Sequence, residues 1–258
     1  MSNPFGRMMA IGKPRCLALQ SKRQGKMSKE ISIAIETSCR EGGVALGRGE
    51  ELVGEVKFDA HGRAAAQLVT ALDELLSGEG VRPGDVGEVY VSVGPGSFTG
   101  VRVGVTVART LAQTVGGIQC VAVPTSLAVA ERVAEVEWAD LAVVLDAGDG
   151  RIYATRYTRR NGVIVRACEP AVAEPGEWLA TAPRPILLTG EGLGYHELAG
   201  SGVEFTDAAI RQSNAKSVWR VGRRLARSGD FTEYNKLLPI YARPVEAVRL
   251  WQKRQSRR

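Results

Sequence analysis

Two acidic residues stand where predicted strands end, and together they could perform chemistry. Glu36 precedes Thr37-Ser38, and Asp146 precedes a turn at residues 148–150. Carboxylates on two facing turns could hold a magnesium–nucleotide between two lobes, since Mg²⁺ is bound through carboxylates and substrate phosphates. Asp146 could equally do no more than begin a turn, which aspartate favours. Glu36 is one methylene longer than the aspartate expected at a tight metal-phosphate turn, which weakens the nucleotide interpretation.

A glycine-rich segment, Gly94-Pro-Gly-Ser-Phe-Thr-Gly100, follows a predicted strand and opens a predicted helix. Its backbone N–H groups at a helix N-terminus could contact an anion. It lacks the lysine of a phosphate-binding P-loop, does not fit G-x-G-x-x-G, and has Pro95 where a nucleophile elbow needs serine. Gly96, Gly100 and Gly104 share one helix face, which favours close backbone packing instead. Both interpretations stay open. The candidate anion- or nucleotide-facing residues are Thr37, Ser38, Gly94, Gly96, Ser97, Thr99 and Asp146.

Metal-ligating residues are few and scattered. The two histidines, His61 and His196, have no second His or Cys at ligand spacing, so we interpret them as a helix-start residue and a surface residue. The four cysteines include no C-x-x-C pair, which is typical of free thiols in a reducing compartment. We therefore predict no metal site and no cofactor bound by this chain alone.

The charge of the chain is concentrated at its ends. The formal net charge of the 258 residues is +6, but residues 1–29 hold seven basic and no acidic residues, and residues 249–258 hold five basic and none acidic. The body is therefore mildly acidic. The basic ends are solvated tails or weak nucleic-acid contacts. We expect no membrane span and no secretory signal, and Met27 precedes the first predicted strand, which favours an extension outside the fold.

Alternation and turn residues predict an α/β protein in which one pattern occurs twice. Residues 31–125 predict three antiparallel strands, a helix over 62–77, a strand at 89–93 and a helix to residue 115. Residues 141–228 restart with strand, acid, turn and strand, and end in a helix from residue 215. We predict duplicated lobes with mixed sheets over residues 30–125 and 126–248, an N-terminal extension at 1–29 and a tail at 249–258.

The helix over residues 62–77 is apolar on two sides. Leu68, Leu72, Leu75 and Leu76 form one stripe, and small residues that include Ala65 and Val69 form another. Such a helix is often held between its own core and a partner. It could also pack entirely inside its own domain.

Several segments together resemble one family. ISIAIETS with GGVALG, HGRAAAQLVTALDELL, VYVSVGPGSFTGVRVGVTVARTLA, VPTSLAVA, VVLDAGDGRIYATRY and LPIYARPVEA are similar to the TsaB (YeaZ) family, over residues 31–247. The resemblance implies a two-lobed actin/Hsp70/sugar-kinase-like (ASKHA), glycoprotease-like fold. It also implies a cytoplasmic, noncatalytic role in adding threonylcarbamoyl to adenosine beside the anticodon of tRNAs that read codons beginning with A.

The resemblance implies partners as well. A TsaD-like subunit would carry the metal and transfer the group, a TsaE-like ATPase would join with ATP and magnesium, and the chain alone would form a homodimer. The first lobe would bind TsaD through two helices, at the residues His61, Ala65, Leu68, Val69, Leu72, Gly100, Gly104 and Ala108. Glu36-Thr37-Ser38 departs from the family's Asp-Thr-Ser, which puts independent nucleotide use in doubt.

Two classes of function remain. The chain is a noncatalytic scaffold that activates a transferase, or it is an enzyme of the ATP-dependent ASKHA or glycoprotease-like hydrolase type. An enzyme would use Glu36, Asp146 and the glycine-rich segment.

Overall fold

A computed structural model describes residues 30–60 and 64–243 and contains two mixed β-sheets. The elements of the first half are β1 Ile31–Glu36, β2 Glu41–Arg48, β3 Glu51–Asp59, α1 Ala64–Gly78, β4 Val86–Ser92, α2 Phe98–Val115 and β5 Gln119–Val123. They form a sheet in the order β3-β2-β1-β4-β5. The first three strands are antiparallel neighbours, and β4 pairs parallel with both β1 and β5.

The second sheet follows helix α3 Thr125–Glu131. Its elements are β6 Leu141–Gly148, β7 Arg151–Arg160, β8 Val163–Arg166, β9 Ala171–Ala173, α4 Pro175–Thr181, β10 Ile186–Thr189 and β11 Val203–Phe205. The order is β11-β10-β6-β7-β8, with β9 also paired to β7. Antiparallel and parallel pairs again occur side by side, since β6 is antiparallel to β7 and parallel to β10.

The main core of the first half lies between its sheet and helices α1 and α2. Strand β1 is buried along its whole length, and Ile33 and Ile35 enter this core from alternate positions. The apolar stripe of α1 meets them from the helix side through Leu68 and Leu75. Burying a leucine stabilises the fold by about 1.5–3 kcal/mol, so this contact fixes α1 on the sheet.

Helix α5, Ala215–Arg227, comes from the second half of the chain but packs on the first sheet. Gly222 permits this approach, because a Cβ there would collide with the ring of Tyr90. Trp219 lies in the same way against Gly47 and donates its Nε1–H to Ser32 Oγ at 2.9 Å. The predicted terminal helix is therefore confirmed, whereas its position on the first sheet was not foreseen. The domain limits at residues 29, 125 and 248 stay predictions.

The predicted fold class, α/β with two mixed sheets, is confirmed. The small strands β9 and β11 were not foreseen. Within residues 30–60 and 64–243, no helix has both the length and the apolar character that a membrane crossing requires. The basic segments 1–29 and 249–258 lie outside the described residues.

Candidate functional site

Glu36 ends β1 as a fully buried carboxylate that accepts hydrogen bonds from three serines. Its Oε1 accepts from the Ser38 backbone N–H at 2.5 Å, from Ser38 Oγ at 2.6 Å and from Ser92 Oγ at 3.2 Å. Its Oε2 accepts from Ser213 Oγ at 2.5 Å. One side chain thus joins β1, the end of β4 and the segment before α5.

The surroundings of Glu36 suit an internal acceptor better than a metal ligand. Burial raises the pKa of Glu36, and the hydrogen bonds from Ser213 and Ser38 offset part of that rise. Both carboxylate oxygens are already engaged, and a buried charge is tolerated when hydrogen bonds satisfy it. The longer glutamate side chain at this turn therefore holds three segments of the chain together.

Cys39 lies beside this cluster, with its Sγ 3.2 Å from Ser213 Oγ. Burial raises the pKa of its thiol to about 12, and the charge of Glu36 contributes to the rise. Burial also raises the pKa of Cys120 to about 11, whereas Cys168 is exposed. Reactivity requires the thiolate, so the two buried thiols are unsuited to nucleophilic catalysis at neutral pH.

Alkylation is expected to separate these cysteines. At pH 8, iodoacetamide should modify Cys168 first and leave Cys39 and Cys120 protected, because a pKa of about 12 leaves about one thiolate in 10⁴. Mass spectrometry of peptides gives the extent at each site, and the same reaction in urea provides the control in which all three react. If Cys39 of the folded chain reacted as fast as Cys168, the burial of Cys39 beside Glu36 and Ser213 would be contradicted.

The glycine-rich segment packs tightly onto the end of β1. A Cβ on Gly96 or Gly100 would collide with the backbone carbonyl of Ser38 or Thr37. Ser97 donates its backbone N–H to Ser38 O at 2.8 Å, and its Oγ caps α2 by accepting from Gly100 N–H at 3.2 Å. These contacts favour close packing over anion contact, because two N–H groups of the segment already have internal acceptors.

Asp146, near the end of β6, forms the opposite side of the site. Its Oδ1 is 2.9 Å from His196 Nε2 and accepts from Gly148 N–H at 3.1 Å. Glu191 Oε1 accepts from Asp146 N–H at 2.9 Å, and burial raises the pKa of Glu191, with a further contribution from the charge of Asp146. In the described ranges, no three His, Cys, Asp or Glu side chains are grouped to hold a metal ion.

His196 is not the surface residue that the sequence analysis proposed. Its side chain is only 9% exposed, and its Nε2 pairs with Asp146, which lies 50 positions away in the sequence. Sequence reasoning missed this contact and that of Ser213 with Glu36. In both cases the two residues come from distant elements, so no local spacing could reveal the pair.

A cleft of about 440 Å³ lies between the residues around the glycine-rich segment and the residues around Asp146. Ser38, Gly96 and Ser97 line one side, and Asp146 and Glu191 line the other. The cleft thus unites four of the seven candidate loop residues of the sequence analysis.

The remaining three candidate loop residues have other surroundings. Thr37 is fully buried, and its Oγ1 has no hydrogen-bond partner within the described residues. Gly94 is buried with φ of 98°, where a Cβ would collide with the backbone carbonyl of Ile240. Thr99 is exposed in the first turn of α2 and does not line the cleft.

Most of the residues expected to contact a partner are buried in the chain's own core. Leu68 and Leu72 of α1 enter the core of the first half, as does Ala108 of α2. Gly100 and Gly104 are covered by Thr37, with Gly104 also facing Ile35 and Val91. Intramolecular packing thus fills the space around these five residues, and their contact with a partner stays a prediction.

Two of the expected partner residues remain exposed. Ala65 is exposed, and Val69 is 56% exposed despite its apolar side chain. Together with the exposed Ala66 and Thr70 they form an uncharged surface, which we call the α1 stripe. The positions i, i+1, i+4 and i+5 place its four members on one helix face. His61 lies outside the described residues.

The two mixed sheets and the cleft between their loops define a class of protein: a two-lobed α/β protein. YeaZ from Pseudomonas aeruginosa has the same fold, with a TM-score of 0.72 at 24% identity over 82% of this chain and 99% of that one. A second solved structure, a protein from Pseudomonas aeruginosa similar to the peptidase YeaZ, gives 0.71 at 24% identity over 83% of this chain and 100% of that one.

Sequence comparison supplies the family. The family model for the tRNA N6-adenosine threonylcarbamoyltransferase TsaD matches residues 59–232. The tRNA threonylcarbamoyladenosine biosynthesis protein TsaB of Bacillus subtilis is 27% identical over 226 residues, 85% of this chain and 96% of that protein. TsaB of Haemophilus influenzae is 28% identical over 208 residues, 79% of this chain and 76% of that protein. The chain belongs to the TsaB (YeaZ) group of this glycoprotease-like family.

Proposed function

We propose that this chain is a noncatalytic subunit of tRNA threonylcarbamoyladenosine formation, which binds and activates a TsaD-like transferase. The observation that carries the proposal is the α1 stripe, an uncharged exposed surface with Val69 at its centre. Small residues around one exposed apolar side chain let a second helix approach closely and bury that side chain. The similarity to TsaB proteins supplies the process in which the partner acts.

The interior of the chain supports a scaffold role. The buried leucines of α1 and the glycine contacts of α2 with Thr37 hold the two helices in one fixed arrangement. A preorganised surface binds with less loss of conformational entropy than a mobile one. The chain would therefore present α1 to the transferase as a rigid element.

Co-purification tests the proposal. Tagged full-length chain should retain a TsaD-like subunit of the same organism through size-exclusion chromatography, as a complex larger than either chain. A homodimer of the isolated chain should dissociate as TsaD is added, if both assemblies use the α1 stripe. Separate elution of the two folded proteins at micromolar concentration would contradict the proposal.

Further partners follow from the same proposal. A TsaE-like ATPase would join the pair with ATP and magnesium, and the metal of the transfer reaction would belong to TsaD. The basic segments 1–29 and 249–258 would add a weak, salt-dependent contact with tRNA phosphates. The assembly would act in the cytoplasm.

A rival proposal makes the chain an ATP-dependent enzyme that uses the cleft. The pairing of Asp146 with His196 at the cleft favours it. Calorimetry of the isolated chain with ATP and magnesium distinguishes the two functions. We expect no binding tighter than about 1 mM, because Glu36 is internally satisfied and the N–H groups of Ser97 and Gly100 are occupied.

The matched variant for that experiment is Asp146→Ala. Micromolar ATP binding by the natural chain, lost in Asp146→Ala while the variant stays folded, would contradict a purely passive subunit. An equally flat titration in both proteins agrees with the scaffold role.

A further inference from the structure

A second cavity, of about 640 Å³, lies between α3, strands β7 and β8 and the C-terminal end of α5. Among the described residues, it shares no lining residue with the cleft that contains Asp146. Its volume is within the range of about 300–1,000 Å³ that is typical of small-molecule sites. Leu127, Ile164 and Leu225 give it apolar walls.

One side chain on this wall carries an unused charged donor. Arg224, in the last turn of α5, donates from Nη1 to Glu131 Oε2 at 2.8 Å. Its Nη2 is buried and has no hydrogen-bond partner within the described part of the chain. A buried guanidinium donor without an acceptor is unfavourable, so its position calls for an acceptor. Arg224 lines the cavity, and its side chain as a whole is 32% exposed.

Other groups on the lining strengthen this polarity. Thr155, in the middle of β7, is 1% exposed, and its Oγ1 makes no hydrogen bond of ordinary length and angle with the residues that the structure describes. Arg166 also lines the cavity and pairs with Glu169 at 2.9 Å, while Asp230 is an acidic residue on the lining. Both arginines thus already pair with a glutamate, and Arg224 Nη2 stays a donor on this wall for which the described residues supply no acceptor.

We propose that this cavity binds a small molecule with an apolar body and a single carboxylate. The carboxylate accepts from Arg224 Nη2, and the body contacts Leu127, Ile164 and Leu225. A neutral alcohol of the same shape offers Nη2 only an uncharged acceptor, and an ammonium group offers it none. The site is independent of the α1 stripe, so its failure leaves the proposed subunit role unaffected.

Calorimetry of the full-length chain with octanoate, 1-octanol and octylammonium tests the proposal. Octanoate should bind one-to-one with a Kd of about 1 mM or tighter, as expected for a ligand of about ten non-hydrogen atoms. 1-Octanol should bind at least about tenfold more weakly, because it lacks the charge-assisted hydrogen bond. Octylammonium should give no saturable binding.

Three variants locate the binding. Arg224→Met keeps the apolar stem of the side chain. It should weaken the binding of octanoate about tenfold or more and leave the affinity for 1-octanol unchanged. Leu127→Trp should abolish the binding of octanoate and of 1-octanol, because the indole ring would fill the cavity. Arg220→Met, on the same helix but outside the cavity lining, should bind as the natural chain does. Circular dichroism confirms that each variant is folded.

Several results would overturn the proposal: no binding of octanoate, equal affinity for octanoate and 1-octanol, or undiminished binding in Leu127→Trp. Octanoate binding that arises only when residues 244–258 are deleted would also overturn it, since the chain's own end would then be the occupant. If Arg224→Met does not fold, Leu127→Trp and the comparison of the three ligands still decide the outcome.

Discussion

Val69→Glu is expected to abolish the complex with a TsaD-like subunit while the chain itself stays folded. Val69 is 56% exposed at the centre of the α1 stripe, so a glutamate there is solvated in the free chain. In the complex the carboxylate would be buried without a partner, which costs about 3 kcal/mol or more, about a hundredfold in Kd. Titration of labelled chain with TsaD measures the change.

The control for this variant is the same substitution elsewhere. Val136, which follows α3, is 39% exposed and lies in a different part of the fold. Val136→Glu should bind TsaD with the affinity of the natural chain. If Val69→Glu bound equally well, the α1 stripe would not be the interface. Leu72→Glu is no substitute, because Leu72 is 6% exposed and its replacement would disrupt the core.

Gly100→Ala is expected to lower the free energy of unfolding by about 1–3 kcal/mol. A Cβ at this position would collide with the backbone carbonyl of Thr37, and neither β1 nor α2 can move away without disturbing the core between them. Chemical unfolding followed by far-UV circular dichroism measures the loss.

Gly78→Ala is the matched control for that loss. Gly78 ends α1, and, apart from its chain neighbours and the backbone of its own helix, no atom of the described residues lies within 4 Å of the place that an alanine methyl group would take. Alanine there should leave stability unchanged or raise it by up to about 1 kcal/mol. Equal stabilities of Gly100→Ala and the natural chain would mean that α2 is not held against β1 as described.

The elements of the fold could be predicted from local patterns. The buried run of β1 and the leucine stripe of α1 have the periods of a strand and a helix, and each occupies the predicted place. Periodicity depends on neighbouring residues, so it can be recognised without knowledge of the rest of the chain. The glycines spaced by four in α2 correctly indicated that another part of the protein packs closely on this helix face. The spacing alone does not identify which segment that is.

The remaining features depend on contacts between distant segments. Thr37 covers the glycine face of α2, so these glycines pack closely inside the chain. His196 reaches Asp146, and Ser213 reaches Glu36, from elements far along the chain. Helix α5 likewise returns to the first sheet. Each pairing follows from the order of the strands and helices in space, which a single sequence leaves unspecified.

We propose that this chain activates a transferase without catalysing the reaction itself. The decisive assay follows the formation of threonylcarbamoyladenosine in unmodified tRNA, with the activated threonylcarbamoyl donor supplied. We predict no product with the chain alone, little with TsaD alone, and full turnover with both. In the mixture with TsaD, the Asp146→Ala variant should support the same turnover as the natural chain, whereas the Val69→Glu variant should not. Product from the purified chain without TsaD, lost in Asp146→Ala, would contradict the account.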